Sequence, residues 1–292
     1  MSSTSSLLGE PGLIEALVAR LRLHTASYMD REPVAGALSR LVSSRDVLPD
    51  EQKARIKDAL HPAIAMLDEC ERMVNDVDND FEVVHLIRRM VEMDDAVGKE
   101  LIDTRTIARL VDICVAVGDD QVREDTLIIF EKVAAKRGLR RFLIDQGVYT
   151  TAAATMVNFN SCTRLVARAC ALLHWLAVDP TIYDVDTMRE LKIPKAAIEL
   201  LSPSVNRYFC QTVVNLIMHA VHDLCNLAHD GVHEDLLDAG VVTKLSGMLR
   251  DPARAECHKL AEEALGMLSM PLKKRGEAPA RGVLHKRALG EW

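Results

Sequence analysis

Residues 224–269 have the sequence LCNLAHDGVHEDLLDAGVVTKLSGMLRDPARAECHKLAEEALGMLS, and this stretch decides the fold. It predicts the end of one helix, a short helix ending at Ala239, a turn at Gly240 and a second helix over residues 241–249. A break at Asp251 and Pro252 then precedes a long third helix that ends at Ser269. Glycine is typical of the position after a helix, and Asp-Pro is typical of a break. The stretch therefore predicts a unit of three helices.

The same pattern recurs along the chain. It is clear at FLIDQGVYTTAAATMV (142–157) with VARACALLHWLAVDP (166–180), and weaker in four further places. The predicted turns, separated by 42 to 48 residues, are at Gly12, Leu60, Arg105, Gly147, Lys192 and Gly240. Helical repeats of the armadillo and HEAT type have periods of roughly 40 to 47 residues. The spacing therefore predicts about six units.

The LxNLA, D/E-x-GVV and LxxLL segments, followed by a closing helix, resemble armadillo repeats such as those of β-catenin and importin-α. The resemblance covers nearly the whole chain and implies an all-α fold, a right-handed superhelical α-solenoid of about six armadillo-type repeats. We expect residues 1–270 to form this repeat domain. Two helices per unit, as in HEAT repeats, remains the alternative, because Pro and Gly are sparse in the N-terminal half.

Charge is distributed unevenly. The formal net charge is -7, but residues 271–292 carry six Lys/Arg against two Glu, which gives +4 and leaves -11 for residues 1–270. An acidic body lacks the basic field that nucleic-acid binding requires, so no nucleic-acid partner is expected. The C-terminal tail, 271–292, loses the helical apolar pattern, and we expect it to be disordered or to fold on a partner.

The seven cysteines lie in apolar stretches without a CxxC pair, which indicates reduced core thiols in an intracellular protein. No signal peptide or apolar run of membrane-spanning length is present, so no membrane insertion is expected. We expect a cytoplasmic location. Association with the cytoskeleton or an axoneme, and entry into the nucleus, are left open.

The armadillo resemblance implies that the third helix of each unit lines a concave groove. One residue per unit then falls where importin-α has asparagine, and we call this the groove position: Arg40, Arg89, Lys132, Trp175, Asn226 and Met267. Four residues earlier, where that family has tryptophan, stand Gly36, His85, Ile128, Ala171, His222 and Glu263. No unit keeps both residues, so the groove is not importin-like.

The N-terminal half of the predicted groove is basic, with Trp175 near its middle, which resembles the way β-catenin holds acidic segments. Guanidinium and ammonium groups pair with carboxylates, and a tryptophan anchors an apolar side chain. We therefore predict that an acidic extended or helical segment of another protein binds in the groove. The alternative is that these charges are ordinary solvated helix positions. The predicted partner-binding residues are Arg40, Arg89, Lys132, Trp175, Asn226 and His222.

The sequence contains no glycine-rich phosphate loop and no GxSxG elbow, the motifs that would indicate catalysis. His219, His222, His229 and His233 cluster near Cys225, but without HExxH or CxxC spacing they favour surface or inter-repeat roles. The acidic pairs Asp94–Asp95 and Asp119–Asp120 are predicted to cap helix N-termini. We therefore predict no catalytic residues, no metal site, no cofactor and no small-molecule substrate.

The sequence thus predicts a non-enzymatic scaffold or adaptor, within a cytoskeletal or ciliary assembly in one interpretation. A second hypothesis is an armadillo-type nucleotide-exchange factor or co-chaperone of a heat-shock chaperone. It depends on a faint resemblance over residues 85–111, where Asp95 and Ala96 stand at a helix-to-helix turn.

Overall fold

A computed structural model describes residues 12–23, 28–43, 49–73, 82–158, 162–177, 185–202, 211–227 and 230–269. Throughout these ranges the regular structure is helical and no strand occurs. The all-α prediction is therefore confirmed. The basic tail, 271–292, lies outside the described residues, as does Met270 at the end of the predicted repeat domain. None of the described helices is long and apolar enough to cross a membrane.

The described residues between 12 and 177 form a first compact unit that contains four repeats. Repeat 1 has α1 (Leu13–Leu21) and α2 (Tyr28–Ser43), and repeat 2 has α3 (Asp50–Lys57), α4 (Leu60–Met73) and α5 (Glu82–Met93). Repeat 3 has α6 (Asp95–Asp103), α7 (Thr106–Ala116) and α8 (Asp120–Ala134), and repeat 4 has α9 (Arg140–Asp145), α10 (Val148–Asn158) and α11 (Thr163–Ala177).

The described residues between 185 and 269 form a second compact unit of two repeats. Repeat 5 has α12 (Val185–Glu190), α13 (Ile193–Leu200) and α14 (Gln211–Asn226), and repeat 6 has α15 (Asp230–Asp238), α16 (Val241–Leu249) and α17 (Ala255–Ser269). The structure shows three helices in each of repeats 2 to 6, so the two-helix alternative is wrong.

A left-handed backbone turn precedes the middle helix in four repeats and precedes α1 in repeat 1. The residues with positive φ are Gly12 (88°), Arg105 (56°), Gly147 (83°), Lys192 (55°) and Gly240 (79°). The repeat spacing predicts a turn at each of these residues, and all five are confirmed. Glycine adopts this conformation freely, whereas Cβ makes it unfavourable for Arg and Lys.

Repeat 2 departs from this rule, and the predicted turn at Leu60 is wrong by one residue. Leu60 is already the first residue of α4, and Ala59 occupies the turn. The Ala59 amide donates to the Ile56 carbonyl at 2.9 Å, which closes a tight right-handed turn without positive φ. Alanine suits that conformation, because it does not require the left-handed region.

The third helices pack side by side, in the order α2, α5, α8 and α11 in the first compact unit and as α14 with α17 in the second. Apolar side chains at equivalent positions, among them Leu38, Ile87, Phe130 and Leu224, are buried in these contacts. A repeat cannot bury its apolar faces alone, so neighbouring repeats within each compact unit supply a shared core. This packing aligns the third helices as neighbours.

Polar side chains satisfy the helix ends. Asp94 accepts a hydrogen bond from the Ala96 amide at 2.7 Å, and Asp119 accepts from the Gln121 amide at 2.6 Å, so both predicted N-terminal caps are confirmed. At helix C-termini, Arg140 Nε donates to the Ala134 carbonyl at 2.7 Å, and His233 Nε2 lies 3.1 Å from the Cys225 carbonyl. Each of these side chains comes from the next first helix and binds a carbonyl group near the C-terminal end of a third helix.

The cysteines described in the structure are free thiols, and Cys114, Cys170, Cys225 and Cys257 are buried. Burial raises the pKa of Cys114 and of Cys170 to about 12, which keeps both groups protonated and unreactive. The predicted core role of the thiols therefore holds for these four, while Cys70 and Cys210 lie outside the described side chains.

The left-handed turn predicts opposite effects for two glycines, one before α16 and one inside it. A Cβ added at Gly240 or at Gly247 would meet only open space, but Gly240 alone of the two has positive φ. We expect Gly240→Ala to destabilise the protein by about 1 kcal/mol through backbone strain. Gly247→Ala, inside α16, should stabilise it by about 0.5 to 1 kcal/mol. Urea unfolding followed by circular dichroism measures the change in unfolding free energy of each variant. Changes of the same sign in the two variants would contradict the proposed role of the turn.

Candidate functional site

The predicted groove residues lie on the third helices of both compact units. In the first unit, Arg40 on α2 and Lys132 on α8 are exposed, while Arg89 on α5 and Trp175 on α11 are half-buried. In the second unit, α14 carries Asn226, which is exposed, and His222, which is half-buried. We call the row formed by α2, α5, α8 and α11 the third-helix surface. The structure thus places four of the predicted residues on consecutive neighbouring helices.

Successive third helices are joined by ion pairs in a constant register. Each pair joins two positions. The first is the residue seven positions before the groove position of a third helix, which we call the seven-before position. The second lies on the preceding third helix, at or just before its groove position. These seven-before residues are Glu82, Asp125 and Arg168. Because the repeats stack at a fixed register, the same pairing recurs at three interfaces of the first compact unit.

At the first interface, Arg40 Nη1 lies 3.2 Å from Glu82 Oε1. Glu82 also lies against Gly36 on α2, where an added Cβ would approach Glu82 Cδ to 2.7 Å. The glycine at the position where importin-α has tryptophan therefore has a packing reason: it leaves room for the carboxylate that pairs with Arg40.

At the second interface, the buried Asp125 carboxylate on α8 accepts hydrogen bonds from three side chains. Arg88 Nη1 donates at 2.6 Å, Gln121 Nε2 donates at 3.1 Å, and His85 Nδ1 is in close contact with the second oxygen. Both oxygens of the carboxylate are thus satisfied, as a buried charge requires.

The charges in this cluster shift one another's pKa values. Burial alone would raise the pKa of Asp125, but the His85 hydrogen bond and the Arg88 charge outweigh it and lower that pKa. The hydrogen bond to Asp125 raises the pKa of His85, with a smaller contribution in the same direction from Glu82 and an opposing one from burial and Arg88. The charged pair is therefore the stable form near neutral pH and below.

At the third interface, the charges are reversed along the chain. Arg164 on α11 lies 3.2 Å from Glu124 Oε2 and donates to Gln121 Oε1 at 3.1 Å. Arg168 lies 3.3 Å from Glu131 Oε2. Burial raises the pKa of Glu131, while Arg168 and Lys132 act against the rise. Here the acids come from α8 and the cations from α11.

In each of these inter-helix pairs the cation is more exposed than its acid. The Arg40 side chain is 67% exposed against 24% for Glu82, and that of Arg164 is 62% exposed against 11% for Glu124. The side chains of Arg88 and His85 are likewise more exposed than that of Asp125. The Arg168 side chain is more exposed than those of Glu124 and Glu131. The carboxylates lie beneath, and the guanidinium groups form the outer layer of the third-helix surface.

Trp175 is supported from within its own repeat. The guanidinium carbon of buried Arg140 lies 5.6 Å from the centre of the Trp175 ring, a cation–π geometry. Because Arg140 also binds the Ala134 carbonyl, it fixes the ring at the end of α8. The half-buried indole is therefore held in place rather than free to rotate into solvent.

The second compact unit uses a different set of polar contacts between α14 and α17. Asn215 donates to Glu256 at 3.3 Å and accepts from Cys257 Sγ at 2.9 Å, and Gln211 Oε1 accepts from Arg254 at 3.1 Å. His222 lies 3.5 Å from Glu263. Amides and a thiol replace most of the ion pairs found in the first compact unit.

The histidine cluster is not assembled as one site in the described residues. His233 is buried against the Cys225 carbonyl, whereas His222 faces Glu263. His229 lies outside the described residues. No group of three His, Cys, Asp or Glu residues in the described part of the chain is arranged to hold a metal ion.

Alignment of only two positions per repeat missed Glu82, Asp125, Arg164 and Arg168 on the third helices, and Arg140 beside Trp175. Asp125 and Arg168 occupy the seven-before position. A comparison of that position across the repeats shows a charged residue in three of them: Glu82, Asp125 and Arg168. Arg140 lies in the sequence RGLRRFL, where nothing distinguishes it from the exposed Arg141. The buried role of Arg140 depends on packing and has no sequence signal.

Comparisons with known proteins define the class of the fold. An engineered protein solved by a structural genomics consortium superposes with a TM-score of 0.63 and 18% identity over 88% of this chain and 98% of its own. A second engineered protein from the same consortium superposes with a TM-score of 0.63 and 16% identity, over 87% of this chain and 96% of its own.

A solved structure from work on a conserved phosphorylation switch in the interaction between cadherin and β-catenin gives a TM-score of 0.66 and 12% identity. It covers 94% of this chain, which spans 55% of that protein. No family model and no curated protein matches the sequence. The chain has the fold of helical-repeat proteins.

The Asp125 cluster predicts a pH-dependent contribution to stability. Asp125→Asn leaves the half-buried cations Arg88 and His85 without their buried counter-charge and should lower the unfolding free energy by about 3 kcal/mol. The contribution of His85 to the unfolding free energy is fully present below the pKa of histidine in the unfolded chain, about 6.5, provided Asp125 is ionised. It is lost as the pH rises through the raised pKa of His85 in the folded protein. The part due to Arg88 persists at high pH.

Urea unfolding of both proteins at about pH 5.5 and about pH 9 measures this change, because the two values lie on either side of the histidine titration. The difference between wild type and Asp125→Asn should be larger at the lower pH. His85→Gln serves as the control and should remove most of the pH dependence. A difference that is constant with pH would show that His85 does not stabilise the cluster.

Proposed function

We propose that this chain is a non-enzymatic protein-binding scaffold that holds an acidic extended or helical segment of a partner against the third-helix surface. The residues proposed to contact the partner are Arg40, Arg89, Lys132 and Trp175, with Arg164 added from the structure. The observation that carries the proposal is the layering of charge, in which each cation is more exposed than the carboxylate it pairs with. His222 and Asn226, on α14 of the second compact unit, are also proposed to contact a partner.

The layering favours an acidic partner even though the pairs are formally neutral. An approaching carboxylate meets the guanidinium first, and the compensating acid lies deeper. At 4 Å in water-like surroundings, each such contact contributes about 1 kcal/mol, and more where water is excluded. Arg40 and Arg164 keep free surface while paired, and Lys132 is exposed on the helix between them. Several such contacts in a row supply orientation and speed of association.

Trp175 supplies an apolar contact beside the cations. A half-buried indole that is already fixed by Arg140 loses little conformational freedom when a partner covers it. The neighbouring groove position on α8 is Lys132, so an acidic and an apolar side chain of one segment are expected to bind on adjacent helices. This combination suits a mixed acidic and apolar segment better than a purely acidic one.

The fold comparison supports a protein as the partner, since one superposable structure comes from work on the interaction between cadherin and β-catenin. At 12% identity that likeness concerns the fold alone. A cytoplasmic location, and a place within a cytoskeletal or ciliary assembly, remain predictions from the sequence.

Charge reversal tests the acidic-segment proposal. The triple variant Arg40→Glu, Lys132→Glu and Arg164→Glu is compared with a matched triple at exposed cations elsewhere on the first compact unit, Arg20→Glu, Lys99→Glu and Arg141→Glu. The probe is a fluorescent peptide of glutamate and leucine, measured by anisotropy. We expect the first triple to weaken binding at least tenfold, about 1.4 kcal/mol, and the matched triple to change it little.

Both triples change the net charge equally, so a general electrostatic effect would weaken binding to the same extent in each. That result, or binding of the wild type to a lysine and leucine peptide with equal affinity, would overturn the proposal. Added salt should weaken the specific binding, because the exposed cations are screened.

Trp175 should contribute through its ring surface. Trp175→Ala is expected to lower the affinity for the same peptide by about 2 kcal/mol, as is common for a buried aromatic anchor. Trp175→Phe should cost less, because it keeps an aromatic face over Arg140. Equal affinities for Trp175→Ala and wild type, with unchanged circular dichroism, would remove Trp175 from the proposed site.

A further inference from the structure

The last repeat keeps leucines at positions that are buried elsewhere in the chain. Leu265 and Leu268 on α17 and Leu249 on α16 are all half-buried. In repeats followed by another repeat of the same compact unit, the equivalents are almost completely buried. The equivalents of Leu265 are Leu38, Ile87, Phe130 and Leu224. The equivalents of Leu268 are Leu41, Met90, Val133 and Leu227. The equivalents of Leu249, in repeats 1, 3 and 5, are Leu21, Cys114 and Leu201.

These positions form the face that a repeat presents to the next repeat. Within residues 185–269, no helix follows α17 to cover them. A terminal repeat that faces water ordinarily carries polar residues on this side. Three leucines at one such face therefore indicate that it is built to be covered.

The same face also carries a negative charge. Glu262 is exposed and lies one helical turn before Leu265, at a place that Val84, Leu127 and Val221 fill in other repeats. A cover for Leu249, Glu262, Leu265 and Leu268, which we call the end face, must be both apolar and basic.

We propose that the C-terminal segment, residues 271–292, docks on the end face and caps the last repeat. The segment has the required composition, with six Lys/Arg against two Glu and five large apolar residues: Leu272, Val283, Leu284, Leu289 and Trp292. It follows α17 directly, so its local concentration at the end face is far above that of any separate partner. Basic side chains meet Glu262, and apolar side chains cover the leucines.

The chain offers a direct reporter, because it contains two tryptophans and one of them is Trp292. In full-length Trp175→Phe, all tryptophan fluorescence comes from Trp292. We expect its emission to be blue-shifted and its acrylamide quenching to be several-fold weaker than in a free peptide of residues 271–292. Both properties should be independent of protein concentration, with a monomer mass in light scattering.

Variants of the end face then locate the contact. Glu262→Lys, at an exposed residue, should increase the quenching of Trp292 without changing the helical content. Leu265→Gln with Leu268→Gln should release Trp292 more completely. The matched control is Glu256→Lys, which makes the same charge change in α17 on the side that contacts Asn215, and it should leave the quenching unchanged.

Three results would overturn the proposal. The first is a Trp292 as accessible in the protein as in the free peptide. The second is shielding that disappears on dilution as the mass falls, which would assign the cover to a second copy of the chain. The third is shielding that survives both end-face variants, which would place the segment elsewhere.

Discussion

The left-handed turn between the first and second helices of a repeat is the constraint on which the rest of the structure depends. It fixes the angle between these two helices, and so determines where the third helix returns. Gly147 and Gly240 adopt the turn without strain, as Gly12 does before α1, whereas Arg105 and Lys192 adopt it at a cost of roughly 1 to 2 kcal/mol each. That two charged residues are held there shows that packing between repeats outweighs local preference. Repeat 2 turns at Ala59 without a left-handed residue, and its third helix still packs between α2 and α8.

A fixed register between third helices has an electrostatic consequence. Since the same positions meet at every interface, one charge pattern repeated along the chain produces a row of ion pairs. Burying carboxylates such as Asp125 is unfavourable unless each oxygen is bonded, and here the bonds come from the preceding helix. In each of these inter-helix pairs the cation is more exposed than the acid. Arg40 and Arg164 therefore reach the surface of a chain whose net charge is -7.

The sequence predicts the architecture well because periodicity is a property of the backbone. The turns at Gly12, Gly147 and Gly240, the three helices of the sixth repeat and the caps at Asp94 and Asp119 follow from local residue chemistry, whereas the turns at Arg105 and Lys192 follow from the repeat spacing. The surface is harder to predict, since its character depends on contacts between residues about 40 positions apart, such as Arg40 with Glu82. The sequence indicates a basic N-terminal groove but not the acids beneath it. Arg140 under Trp175 is a packing result that no spacing signals.

The two compact units differ in how their third helices recognise one another, and this bears on what each is able to bind. Ion pairs join α5, α8 and α11, so their outward surface is charged and sensitive to salt. Between α14 and α17 the contacts involve Gln211, Asn215 and the Cys257 thiol, whose pKa is raised by burial. There the charged groups Glu256 and Arg254 bind amide side chains of α14, and the neutral Cys257 thiol donates to an amide oxygen, that of Asn215. The third helices of the first compact unit are therefore joined mainly by ion pairs, and amide groups make most of the polar contacts of α14 in the second.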